Sequence, residues 1–258
     1  TSMLLAATMS STDSASVFNI LRSQKINLKH NLRPMLELES GSNDPMAYLL
    51  TVVLIQCIGD GRVSMGGILG SFLLQFAVGI VGGWLLGWLA VRIINRIGLK
   101  NTELYSIMVL CFIFIIYSSV YLLKGNGYLA IYIAGIVVRN ARTFKKREIG
   151  TFLNGMTWLL QVVMFLILGL LVNPKEMLSI VPFAIPVSLF MTWVARPASV
   201  WLSLFPFGRK ISNRSKMFIS WVGLRGAAPI IFATYPVVAQ VEGAEEIFNI
   251  VFFVTLIS

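Results

Sequence analysis

Eight consecutive residues, Glu37-Leu38-Glu39-Ser40-Gly41-Ser42-Asn43-Asp44, bring three carboxylates, two hydroxyls and one amide into the start of an otherwise apolar run. On a helix, Ser40 and Asp44 stack on one face with Glu37 near the same line, and Glu39 and Asn43 stack on the adjoining face. A carboxylate beside a hydroxyl offers the oxygen ligands that a hard cation needs. The adjoining face can hold a partner charge. Two other segments share this character. Thr8-Met9-Ser10-Ser11-Thr12-Asp13-Ser14 interrupts the first apolar run, and Gly223-Leu224-Arg225-Gly226-Ala227-Ala228-Pro229 interrupts a late one.

The elements that must position these groups follow from composition. Of the 258 residues 57% are hydrophobic and 12% are charged, against roughly 25% charged in an ordinary globular domain. A soluble domain of this length could not cover so much apolar surface. A soluble enzyme, a disordered chain and a disulfide scaffold are thereby excluded, and an all-α polytopic membrane protein is expected. The net charge of +10 is scattered in short clusters between apolar runs. It does not form the single exposed stripe that nucleic acid requires, so no nucleic-acid partner is expected. No cofactor or resident metal is expected either.

A span needs about 20 apolar residues. Nine stretches qualify or nearly do, at 1–21, 35–58, 66–94, 103–123, 126–138, 152–172, 178–205, 216–238 and 246–258. Alternate loops carry Arg22, Lys25, Lys29 and Arg33; Arg92, Arg96 and Lys100; Arg139, Arg142, Lys145, Lys146 and Arg147; and Arg209, Lys210, Arg214 and Lys216. The remaining loops hold only Arg62, Lys124 and Lys175. This asymmetry places the basic loops in the cytoplasm. It also requires the short run 126–138 to cross, with Lys124-Gly125-Asn126-Gly127 as its outer turn. The chain opens at Thr1-Ser2-Met3 without a signal-like segment and closes in mid-run at Ser258. An internal fragment of a longer protein is the expectation.

Six ionisable residues fall inside spans: Asp13, Glu37, Glu39, Asp44, Arg196 and Arg225. Each costs at least about 2.5–3.5 kcal/mol to insert. Asp13 lies nine residues from Arg22, Asp44 ten beyond Pro34 and Arg225 nine beyond Lys216, so all three reach about 13–15 Å into the bilayer at helical rise. A common midplane site explains this convergence. Two interrupted spans of opposite direction point to an inverted-repeat transporter with the site between them. Arg225 cannot lose its proton, and Glu39 is expected to neutralise it. Arg196 and Glu37 divide between snorkelling and supporting the site. Taken alone, Gly223 and Gly226 read as close helix packing, but Arg225 between them shifts the balance toward unwound backbone lining a cavity. Cys57 and Cys111 read as small hydrophobes, His30 as a solvated loop residue, and the six tryptophans as interfacial or packing residues.

Thr12-Asp13, Glu39-Ser40-x-x-Asn43-Asp44 and Trp221-x-Gly223-Leu224-Arg225-Gly226-Ala227 together resemble the monovalent cation/proton antiporters, and within them the electroneutral sodium/proton exchanger branch. Gly127-Tyr128-Leu129-Ala130-Ile131-Tyr132-Ile133-Ala134-Gly135 and Trp158-Leu159-x-Gln161-x-x-Met164-Phe165 look like its bacterial potassium/proton members. The resemblance covers the whole chain, in order. It departs at Ser14, where the family often reads proline after Thr-Asp. It implies a thirteen-span inverted-repeat fold, of which residues 1–258 form a partial transmembrane domain running from about the fifth span into the thirteenth. A homodimer with an elevator-like core movement is also implied. Asp44 would then take either the proton or the cation, Thr12, Asp13 and Ser40 would surround the ion, Asn43 would brace the site, and Glu39 would pair with Arg225.

The expected function is exchange of potassium or sodium for protons across the cell (inner) membrane by alternating access. A cation channel would normally show a carbonyl-lined filter or charge rings. An intramembrane aspartyl enzyme would have to use Asp13 with Asp44 as its dyad. The same oxygens serve both potassium and sodium, so the residues leave the preferred cation open.

Overall fold

The computed structural model describes residues 2–13, 17, 32–60, 65–97, 101–141, 146–171, 174–207 and 211–258. Ser14, His30 and the basic residues Arg22, Lys25, Lys29, Arg62, Lys100, Arg142, Lys145, Arg209 and Lys210 lie outside them. Among the described residues all regular structure is helical. In chain order the helices are α1 (Ser2–Thr8), α2 (Leu32–Asp60), α3 (Met65–Arg96), α4 (Thr102–Leu122), α5 (Gly127–Asn140), α6 (Lys146–Leu171), α7 (Pro174–Phe190), α8 (Arg196–Ser203), α9 (Asn213–Trp221), α10 (Ala228–Val238) and α11 (Ala244–Ile257). Four helical stretches are long and apolar enough to span a bilayer: Leu69–Arg96, Glu103–Leu122, Lys146–Leu171 and Ile180–Ser203. Gly127–Asn140 and Ala228–Val238 are shorter apolar helices. The chain is a multi-pass helical membrane protein.

Two compact units form, residues 60–167 and residues 1–59 with 168–258. In the first, α3 meets α5 along glycines. A Cβ on Gly83 would come within 2.7 Å of the Ala130 Cα, and one on Gly87 within 2.8 Å of the Ala134 Cα. In lipid there is little hydrophobic drive between helices, so this close backbone approach supplies the van der Waals contact that holds them. The expected tight turn before α5 is present. Lys124 takes a left-handed φ of 57°, and the Asn126 side chain caps α5 by accepting from the Leu129 N–H at 3.1 Å. Asn126 also donates its own N–H to the Gln75 carbonyl at 3.0 Å.

In the second unit, Leu32 and Leu36 of α2, Val200 of α8, Leu204 just beyond it and Ile219 of α9 form a buried cluster. Tyr48 of α2 stacks edge-on against Tyr235 of α10. Helices α7 and α8 are one rod joined by a π-helical turn at Met191–Ala195, where the Arg196 N–H reaches back to the Met191 carbonyl. Pro197 accounts for the widening. Its ring would clash with the carbonyl four residues earlier, and a wider turn relieves that clash.

Both expected interruptions are present. The first helix ends at Thr8, with residues 11–13 non-helical. Residues 223–226 are likewise non-helical between α9 and α10. Thr8 and Ser10 turn their hydroxyls back onto the carbonyls of Leu5 and Ala7, at 2.9 and 2.7 Å, which helps to end α1.

Candidate functional site

The non-helical segments meet each other and α2 within one unit. Asp13 donates its backbone N–H to the Leu224 carbonyl at 2.8 Å, so each broken strand of backbone satisfies the other where no helix ladder does. Gly226 permits the approach, since a Cβ there would lie 2.7 Å from both Cβ and Oδ2 of Asp13.

The polar face of α2 then closes on this crossing. Ser40 donates its hydroxyl to the Thr12 carbonyl at 2.9 Å. Asn43 donates from Nδ2 to the Thr12 hydroxyl oxygen at 2.6 Å. Ser11 donates its hydroxyl to Oδ1 of Asp44, and the charge of Asp13 lies within electrostatic reach of Asp44. The residues Thr12, Asp13, Ser40, Asn43 and Asp44, expected together from sequence, are thus brought together. Immediately after Asp44, Pro45 has no N–H to give to the carbonyl four residues back, so α2 lacks one ladder bond at this depth. The assembled groups are two carboxylates, several hydroxyls and the carbonyls of the non-helical segments. This oxygen-rich set suits a hard cation or a proton.

The pairing of Glu39 differs from expectation. Glu39 forms its ion pair with Arg196, not with Arg225. Arg196, the residue that follows the π-helical turn, also donates from Nη2 to the Ile219 carbonyl at 3.3 Å. That carbonyl belongs to the last turn of α9, where a cation complements the helix dipole. Gly223 leaves room for the guanidinium, because a Cβ there would stand 3.0 Å from the Arg196 Cζ. Gly223 and Gly226 therefore serve the passage of Arg196 and of Asp13, not the helix-to-helix packing their spacing suggests. Arg225 is left with a buried Nη1 that has no hydrogen-bond partner among the described residues, and it lies within electrostatic reach of Arg196. Asn43 Oδ1 is buried without a partner in the same way.

Glu37 stands apart from this cluster, paired with Arg33 one turn earlier at 3.0 Å on the surface. Two contributors escaped the sequence reading. Ser11 sits in the polar run but had no partner assigned, and the Leu224 carbonyl carries no side-chain signal at all.

Comparison with known proteins places the chain in a family. The profile of the transmembrane sodium/hydrogen exchanger family matches residues 1–258. A protein of Shewanella sp. (strain MR-4) described as K(+)/H(+) antiporter NhaP2 is 44% identical over 99% of this chain and 44% of its own length. One of Alkalimonas amylolytica described as K(+)/H(+) antiporter NhaP is 39% identical over 99% of this chain and 44% of its own. One of Halobacillus aidingensis described as Na(+)/H(+) antiporter NhaH is 25% identical over 98% of this chain and 64% of its own. The chain thus spans less than half the length of the first two relatives. With the family profile matched from end to end, the chain belongs to the transmembrane sodium/hydrogen exchanger family.

Proposed function

We propose that the protein containing this chain is a secondary antiporter that exchanges a monovalent cation for protons across the inner cell membrane. The observation that carries the reading is the joining of Asp13 to Leu224 beside Asp44, which gathers the ionisable groups of three separate segments into one unit. Asp44 is the shared carboxylate in this reading, taking either a proton or the cation. Thr12, Asp13, Ser40 and Ser11 surround the ion, Asn43 braces Thr12, and Glu39 with Arg196 stiffens the base of α2. Binding of one ion excludes the other, so a single site supplies the coupling, and alternating access moves it between the two sides.

Potassium is the first cation to test, since the relatives at 44% and 39% identity are described as K(+)/H(+) antiporters. Sodium is the second, from the 25% relative. The protein would work as a homodimer, as the family resemblance implies. Neither a channel filter nor an aspartyl-protease arrangement has an observation in its favour.

The test is ion flux in proteoliposomes containing the full-length protein, with potassium, sodium and lithium each offered against a pH gradient. Cation-dependent proton movement supports the reading. Cation leak without proton movement would overturn it.

A further inference from the structure

The unit of residues 60–167 contains a cavity that the antiporter reading does not use. It has a volume of about 530 Å³ and lies among α3, α4, α5 and α6, within the range of about 300–1,000 Å³ usual for small-ligand sites. Its walls are apolar, with Phe112, Ile116, Ile131 and Leu153 among them. Its polar end is formed by Arg139, in the last turn of α5, and Lys146, the first residue of α6. Loop-charge asymmetry assigns this basic end to the cytoplasm.

The dimensions are those of one membrane leaflet. From Arg139 back to Ile131, and from Lys146 on to Asn154, each wall runs eight residues, or about 12 Å at helical rise. Half of the hydrocarbon core is about 15 Å. With Arg139 and Lys146 at headgroup level, a slot of this length ends short of the midplane. Both basic side chains are exposed, and among the described residues neither is paired with a carboxylate. Lys146 donates one bond to the Arg139 backbone carbonyl at 2.6 Å, which holds the ammonium at the end of α5 and leaves its other donors and the whole Arg139 guanidinium for a ligand. Two glycines in the wall, Gly135 and Gly150, face open space, since a Cβ on either would meet nothing within 4 Å. Among the described residues, no side chain fills the groove at these two positions.

We propose that this cavity binds an anionic phospholipid of the cytoplasmic leaflet, with an acyl chain against the apolar walls and the phosphate at Arg139 and Lys146. A basic mouth over an apolar slot of leaflet depth matches that amphipathic shape and charge. A zwitterionic lipid would offer the same chain but an internally balanced headgroup. A soluble phosphate would leave the apolar walls without a partner.

The experiment uses the full-length protein, purified in mild detergent and analysed by native mass spectrometry and lipid extraction. Thermal stability is then measured with phosphatidylglycerol, with phosphatidylcholine or with inorganic phosphate added. Wild type should retain anionic lipid and should be stabilised by phosphatidylglycerol alone. Gly150→Leu and Gly135→Leu fill the slot from open space and should lower retention about tenfold. Arg139→Gln with Lys146→Gln, both at exposed positions, should remove the preference for phosphatidylglycerol over phosphatidylcholine while keeping chain binding. Four results would each overturn the site: no retained lipid in the wild type, undiminished retention in the filled variants, equal stabilisation by both lipids in the wild type, or stabilisation by inorganic phosphate alone.

Discussion

Glu39 and Arg196, 157 residues apart in sequence, form an ion pair within one compact unit. It joins the polar start of α2 to the rod of α7 and α8 at the point where that rod widens into a π-helical turn. Arg196 also holds the last turn of α9, just before the chain breaks at Gly223. One side chain therefore fixes three elements that surround the broken segments. Arg225, inside the break itself, leaves its Nη1 without a hydrogen-bond partner among the described residues.

This relationship sets the first prediction. The two side chains are 28% and 14% exposed, so the pair is partly screened. Removing either partner should cost about 1–3 kcal/mol, below the roughly 3–5 kcal/mol of a fully buried pair. Thermal unfolding of Glu39→Gln, Arg196→Gln and the double variant should give a coupling of at least about 1 kcal/mol. The same cycle with Arg225→Gln should be close to additive. Coupling of Glu39 to Arg225 in place of Arg196 would reverse the assignment.

The glycines of the second break give another prediction. A methyl group at Gly226 collides with Asp13 and one at Gly223 with Arg196, and overpacking of this kind costs about 1–3 kcal/mol. Gly226→Ala should yield protein that inserts and purifies but exchanges ions poorly, because Asp13 is displaced from its place beside Asp44. Gly155 on α6 is the control, since a Cβ there meets nothing within 4 Å. Gly155→Ala should be neutral or slightly stabilising, by up to about 1 kcal/mol. Equal transport in the Gly226 and Gly155 variants would remove the steric argument.

Most of this arrangement is legible in the sequence for physical reasons that can be named. Hydrocarbon tolerates so few charges that Asp13, Asp44 and Arg225 at similar depth already locate a common site. Helical periodicity assigns Ser40, Asn43 and Asp44 to neighbouring faces, and the structure gives those faces to Thr12 and Ser11. The partner of Glu39 was not legible. Either arginine supplies the charge, and spacing along the chain does not show which guanidinium the folded helices bring to Glu39. The bond from Asp13 to Leu224 is hidden for a similar reason, because it uses only main-chain atoms. The break at Gly223 and Gly226 was legible, since Arg225 between them argued against simple helix packing, but the side chains that the two glycines admit were not.

A further prediction is electrical. Asn43 is neutral and Glu39 is tied to Arg196, so in the proposed mechanism the exchanged proton is carried by Asp44. One cation exchanged for one proton moves no net charge. A net charge moved would couple transport to voltage by about 2.3 kcal/mol per 100 mV. Exchange in vesicles should be insensitive to a membrane potential set by an ion that is not a substrate. A clear acceleration by potential of either sign would count against this stoichiometry.

The strongest prediction concerns Asp44. Its carboxylate accepts from Ser11, lies near Asp13 and follows one turn after Ser40, whose hydroxyl is already committed to the Thr12 carbonyl. Asp44→Asn preserves the size of the side chain and keeps an oxygen able to accept from Ser11, so folding and insertion should be retained. It removes the one group proposed to hold a proton and a cation in alternation. Exchange should therefore vanish across the whole pH range and with every cation offered, while the protein still purifies as wild type does. Asp13→Asn should behave differently. Its backbone bond to Leu224 does not depend on the side chain, so the crossing survives, and exchange should weaken by a factor that depends on the cation. Flux measured in parallel for the two variants separates the roles. Near wild-type exchange in Asp44→Asn, with loss in Asp13→Asn, would transfer the shared site to Asp13.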